Sequence, residues 1–260
     1  MNAASRFHGS LALLATTFLL AITTASAQTP NHLYDFNGSY ADAFGGPAMV
    51  PDGGTLNPTN YTFAANQGLN LSNALANTGN YTVLIDFSFS NLSGYRKILD
   101  FKDRGPDAGL YNRSTELYFY PVVGGPAGAF VADTLARMVL TRDAVTNQIT
   151  GYVNGVQQFS FTDSSGLGIF TGPNGIMRFF EDDFSTGGEA SAGLVDRIAL
   201  WDSVLSPAQV ATLGGPGPIA GPTPPPAGVP EGGSTLVMFA AALLVIEFVR
   251  RRYALLCGKL

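Results

Sequence analysis

The chain has 260 residues, only 13% of them charged, with 31 glycines. Its one cysteine, Cys257, lies in the C-terminal tail, and its two histidines are His8 and His32. That supply excludes a disulfide framework or cysteine-based zinc site in the central region and argues against histidine-dependent catalysis. Gln28 to Leu213 carries 17 acidic against 9 basic residues. A net-negative domain does not accumulate on phosphate backbones, so no nucleic-acid partner is expected.

The first predicted element, over residues 1–27, is a cleaved signal peptide. Arg6 supplies positive charge, Leu11 to Ile22 is apolar, and Ala25-Ser26-Ala27 offers small residues for cleavage. Strands then follow one another with no helical period between them. Tyr81 to Phe89 has the clearest alternation, with Tyr81, Val83, Ile85, Phe87 and Phe89 on one side and Thr82, Asp86 and Ser88 between. A period of two predicts a strand with one buried face. Leu33–Phe36, Gly68–Leu71, Lys97–Phe101, Glu116–Tyr120, Ala136–Thr141, Ile176–Phe180 and Val195–Trp201 also read as strands between Gly, Pro, Asn and Asp clusters. Asn154-Gly155 predicts a tight turn within one hairpin over Gln148–Thr162. Ser206-Pro207-Ala208-Gln209 reads as a capped helix start, with the helix running to Leu213. About ten strands without long helices predict an all-β, two-sheet antiparallel sandwich over residues 28–213.

Residues 214–228, rich in Gly and Pro, read as a stiff linker. Val229, Pro230 and Glu231 come next, then Gly-Gly-Ser-Thr, then an apolar run to Val249 broken by Glu247, then Arg250, Arg251 and Arg252. The arginines predict that this end of a membrane helix stays inside, leaving 253–260 as a cytoplasmic tail. Residues 229–252 resemble the PEP-CTERM sorting signal of Gram-negative bacteria. The resemblance implies recognition by an exosortase-type enzyme, transient residence in the inner membrane, and a final place in the medium or at the cell surface.

The central region resembles the LamG-like, concanavalin A-like jelly roll. Four stretches carry the likeness: Leu33-Tyr34-Asp35-Phe36, Tyr152-Val153-Asn154-Gly155, Arg197 to Asp202, and Leu205 to Val210. Some enzymes of that fold place Glu, Asp and Glu at alternating positions of one strand. Here Glu181-Asp182-Asp183-Phe184 lacks the second Glu, and no other catalytic motif is present. The expectation from sequence is therefore not an enzyme but a domain that binds extracellular glycans or matrix components, with a purely structural or adhesive matrix role as the alternative and a glycan-processing enzyme as the less favoured one.

The resemblance implies Ca2+ at the level of the fold alone, and the residues themselves offer Asp182, Asp183, Glu189 and Asp103 as candidate ligands. Calcium takes oxygen donors, and Glu181, Asp182, Asp183 and Glu189 bracket one glycine-rich loop while Asp100, Asp103 and Asp107 cluster in another. The alternative is that these carboxylates pair with Arg96, Lys97, Arg104 and Arg178. Sugar rings need aromatic faces, which Tyr95, Tyr111, Tyr118, Tyr120 and Trp201 could supply. Tyr95 and Tyr111 fall in predicted loops and are the expected ligand contacts.

Overall fold

The structure is a computed structural model that describes residues 28–219. The predicted signal peptide, the Val229-Pro230-Glu231 motif, the apolar run and Arg250–Arg252 lie outside the described residues. No helix among the described residues is long and apolar enough to cross a membrane.

Among the described residues, fifteen strands form two antiparallel sheets. In chain order they are β1 His32–Tyr34, β2 Val50–Asp52, β3 Thr55–Leu56, β4 Tyr61–Phe63, β5 Gly68–Leu71, β6 Tyr81–Phe89, β7 Tyr95–Asp100, β8 Gly109–Arg113, β9 Glu116–Tyr120, β10 Val123–Gly124, β11 Ala136–Arg142, β12 Gln148–Val153, β13 Val156–Thr162, β14 Met177–Phe179 and β15 Gly193–Trp201. One helix, α1 Pro207–Leu213, follows them. The first sheet runs β13-β12-β11-β6-β15-β4-β3, with β1 also paired to β15; the second runs β10-β9-β8-β7-β14-β5-β2. The all-β two-sheet sandwich expected from sequence is the architecture found.

The core fills the space between the sheets. Val83, Ile85, Phe87 and Phe89 of β6 meet Leu99, Leu110, Leu117 and Phe119 of the second sheet in one buried cluster. Phe63 and Phe180 stack within it at 4.4 Å between ring centres. Asn154 and Gly155 both have positive φ, which closes the β12–β13 hairpin as expected.

The second face of β6 departs from the expectation: all nine residues of the strand are buried. Leu84, Val139, Ala199 and Trp201 on that face are covered by Leu205, and by Val210 and Leu213 of α1. Thr82 Oγ1 donates to the Ser203 carbonyl and accepts from the Leu205 amide, so its polar group is satisfied. The helix starts where the sequence placed it. The Ser206 hydroxyl accepts from the Gln209 amide, and the Gln209 side chain accepts from the Ser206 amide. Ser206→Ala should destabilise the domain by about 1 kcal/mol in chemical denaturation.

The chain then lies along the same face, within the stretch read as linker. Arg137 and Asp86, both buried, form a two-pronged pair at 2.8 and 2.7 Å. Arg137 also donates to the carbonyls of Leu213 and Gly217, and Arg197 donates to that of Gly217. Ile219 packs against the cluster under α1. The part of that face over β6, β11 and β15 is thereby occupied by the chain itself.

Candidate functional site

The second sheet presents the remaining face, and period-two geometry decides its side chains. Leu110 of β8 and Leu117 and Phe119 of β9 point into the core. Tyr111, Arg113, Glu116, Tyr118 and Tyr120 therefore point away from it. Strand register continues the pattern into β7: Tyr95 lies opposite Arg113, and Lys97 opposite Tyr111, which itself faces Tyr118.

The tyrosines make one cluster. The Tyr95 ring lies 5.7 Å from Tyr111, 5.9 Å from Tyr118 and 5.9 Å from Tyr120, each in an edge-on arrangement. The Arg113 guanidinium covers the Tyr118 ring at 3.8 Å and is held by Glu116 at 2.6 Å. Tyr95, Tyr118 and Tyr120 are half-buried, so part of each meets solvent. Tyr111 is fully buried beneath them, with the Lys97 ammonium 4.4 Å from its ring centre.

Beside the tyrosines, two loops meet. Residues 101–108 leave β7, and residues 180–192 precede β15. They are joined by Phe184 N–H to the Arg104 carbonyl, Ser185 Oγ to the Gly105 carbonyl, and Thr186 Oγ1 to Asp107 Oδ2 at 3.2 Å. Asp107, Asp183 and Glu189 consequently each bring one carboxylate oxygen within 4.8 Å of the others. The Tyr111 hydroxyl sits between, 3.0 Å from Asp107 Oδ1 and 3.2 Å from Asp183 Oδ2, and its single proton serves one at a time. Lys97, fully buried, donates to Asp183 Oδ2 at 2.8 Å and lies 3.6 Å from Asp100 Oδ2.

These contacts divide the residues expected to hold calcium. Asp103 binds Arg178. The two Asp182 oxygens accept the amides of Asp183 and Glu189. Asp183 accepts two further amides, from Ser185 and Thr186, besides the Lys97 ammonium. Calcium takes six to eight oxygen donors. Of the set Asp182, Asp183, Glu189 and Asp103, the structure brings only Asp183 and Glu189 together, joined by Asp107 in place of the other two. Pairing with nearby cations, the alternative weighed from sequence, describes Asp103, Asp183 and Glu181, the last bound by Arg104 and Arg178.

Tyr95 and Tyr111 are placed in strands, not loops, and Tyr111 is covered. Tyr118 and Tyr120 are the more accessible rings, and Trp201 is buried under α1 on the opposite sheet. Phe184, one of the most exposed aromatics at 77%, has the Arg104 guanidinium 4.3 Å from its ring centre. The only sequence sign of its exposure is its place in a polar, glycine-rich run.

The carboxylates respond unequally to this setting. Burial raises Glu189 above its ordinary value, and the nearby Asp107 and Asp182 charges add to the rise. Burial likewise raises Asp182 and Glu181. Burial pushes Asp183 up too, but Lys97 and the Thr186 and Ser185 amides outweigh it and hold Asp183 below its ordinary value. A raised carboxylate binds its proton more tightly in the folded state, so its destabilising effect is relieved as pH falls through the folded pKa. A depressed one stabilises above the unfolded pKa, and that stability is lost as pH falls through the folded pKa. Stability followed by denaturant midpoint should therefore hold or rise from neutral into mildly acidic pH. It should fall below about pH 4, when Asp183 and the similarly depressed Asp42 protonate.

Comparison with known proteins places this geometry. A model named Laminin_G_3, described as the concanavalin A-like lectin/glucanases superfamily, matches residues 60–211. No curated protein matches the chain. Among solved structures, domain 4 of AbnA, a GH43 extracellular arabinanase from Geobacillus stearothermophilus, in complex with arabinotriose, is similar with a TM-score of 0.51 and 18% identity. That match covers 71% of this chain and 98% of the domain. A mutant Trypanosoma rangeli sialidase displaying trans-sialidase activity aligns with a TM-score of 0.53 and 15% identity over 73% of this chain. The botulinum neurotoxin serotype D binding domain gives 0.52 and 11% over 71%. This chain spans 31% of the sialidase and 52% of the toxin domain. These likenesses share the fold.

They also correct the expectation that the chain is not an enzyme. Glucanases stand beside lectins in the matched family, and domain 4 of an arabinanase and part of a sialidase share its fold. The missing Glu-Asp-Glu strand pattern removes one arrangement of catalytic carboxylates and leaves others open. The chain belongs to the concanavalin A-like lectin/glucanase superfamily.

Proposed function

We propose that the domain binds a glycan on the outer face of the second sheet, across Tyr95, Tyr118 and Tyr120. The observation that carries this reading is the grouping of three half-exposed tyrosines on one face, flanked by carboxylates that can accept from sugar hydroxyls. Aromatic rings offer flat apolar area at low entropic cost, and their hydroxyls hydrogen-bond at the rim. Membership of a family that includes lectins supports it. Export, processing by an exosortase-type enzyme and display at a bacterial surface or in its matrix belong to the same proposal. They rest on the terminal sequences alone.

A panel of immobilised polysaccharides, probed with the full chain and with Tyr118→Ala, tests the reading. Retention of at least one polysaccharide that the variant loses supports it. Equal behaviour of both proteins on every polysaccharide would contradict it. Hydrolysis is a second reading, favoured by carboxylate oxygens of Asp107, Asp183 and Glu189 within 4.8 Å of one another. Release of reducing ends from the retained polymer, abolished by Glu189→Gln, would establish it.

A further inference from the structure

The charge around the tyrosines is unbalanced. Each cation bordering them is already engaged. Arg113 is paired with Glu116, and Arg96 donates to the carbonyls of Tyr95 and Gly188. Lys97 is shared between Asp183 and Asp100. Asp100 is fully buried below this face, and its Oδ2, aimed at Lys97, has no hydrogen-bond partner. One ammonium thus serves two buried carboxylates. Asp107 and Glu189, both partly exposed, have no ion-pair partner among the described residues.

We propose that the glycan taken by this face carries free amino groups, one of which, as its ammonium, seats between the Asp107 and Glu189 carboxylates while the neighbouring ring lies on the tyrosines. This deepens the glycan-binding reading and rests on it. An ammonium brings three donors to carboxylate and tyrosine oxygens and is attracted by aromatic faces. A uronate, sulfate or sialate would add negative charge beside Asp107 and Glu189, where Arg113 and Lys97 already serve carboxylates of the protein.

The test is calorimetric titration of the full chain with a glucosamine tetramer, the corresponding N-acetylglucosamine tetramer and a galacturonate tetramer, repeated with Asp107→Asn/Glu189→Gln. The amino form should bind about tenfold more tightly than the acetylated form, and the uronate should not bind. In the double variant, whose melting temperature is checked first, the amino and acetylated forms should bind equally. Equal or tighter binding of the uronate would overturn the proposal, as would an amino preference that survives in the double variant. Calcium that binds the full chain, displaces the amino sugar and is lost in the double variant would also overturn it, by assigning the site to a metal. If no saccharide of any kind binds, the glycan-binding reading itself has failed; if acetylated and amino forms bind alike, only the charge selection has.

Discussion

Lys97→Met is expected to destabilise the domain by about 3–5 kcal/mol, the range for leaving a buried charge without its partner. Methionine is close in length, so the loss is electrostatic and not a matter of packing volume. Asp183 and Asp100 both have side chains shielded from water, and Lys97 is the cation that reaches both. Removing it leaves two buried charges without a counter-ion, and Asp183 loses what holds it below its ordinary value and takes up a proton more readily. The loss should accordingly shrink in acid, where wild type also loses the contribution of its depressed Asp183. Urea denaturation of wild type, Lys97→Met and Lys97→Met/Asp183→Asn checks this. The double variant should recover part of the loss, because one of the stranded charges is gone. A single-variant effect below about 1 kcal/mol would mean that the pair behaves like a solvated surface contact.

The second large effect concerns ligand contact. Tyr118→Ala and Tyr120→Ala should each weaken glycan binding by about 30-fold or more, equivalent to roughly 2 kcal/mol, the threshold for an interface anchor. Neither side chain belongs to the buried core, which Leu117 and Phe119 fill from the other side of β9. Fold stability should therefore change little, and circular dichroism melts can be compared directly. Tyr111→Phe differs in kind. It keeps the ring under Lys97 but removes the hydroxyl that bridges Asp107 and Asp183. It should lower stability more than it lowers affinity, since Tyr111 itself is covered.

Much of this fold is legible in single stretches of sequence. The alternation of β6, the Asn154-Gly155 turn and the Ser206-Gln209 cap each carry their own local physics. The strand β8 does not. Gly109-Leu110-Tyr111-Asn112-Arg113 is short and places two apolar residues side by side, so its period is unreadable, and Tyr111 falls into a predicted loop. In β9 the strand itself is evident, but both phases are aromatic or apolar. Composition cannot say whether Leu117 and Phe119 or Tyr118 and Tyr120 face the core. The second face of β6 was expected in solvent because Thr82, Asp86 and Ser88 are polar. It is buried because Leu205, α1 and the following residues return over it, while Ser203 and Leu205 satisfy Thr82 and Arg137 satisfies Asp86.

The acidic residues were visible as candidates, but their partners were not. Lys97 meets Asp183 across 86 residues, and Thr186 meets Asp107 across 79. No local pattern encodes such pairings. They arise because β14 pairs with β7, which sets the loop leading into β15 against the loop leaving β7. That same pairing gives Asp103, Asp182 and Asp183 their cation and amide partners. It leaves Asp107 and Glu189 beside the tyrosines.

The central claim is that a glycan lies on the tyrosine face of the second sheet. The most direct measurement is a titration of the chain carrying ring-labelled tyrosine, followed by NMR, with a polysaccharide fragment retained in the binding panel. Resonances of Tyr95, Tyr118 and Tyr120 should shift in proportion to occupancy while those of the core residues Tyr34, Tyr61 and Tyr81 stay fixed. Saturable binding that leaves Tyr95, Tyr118 and Tyr120 unmoved would contradict the account.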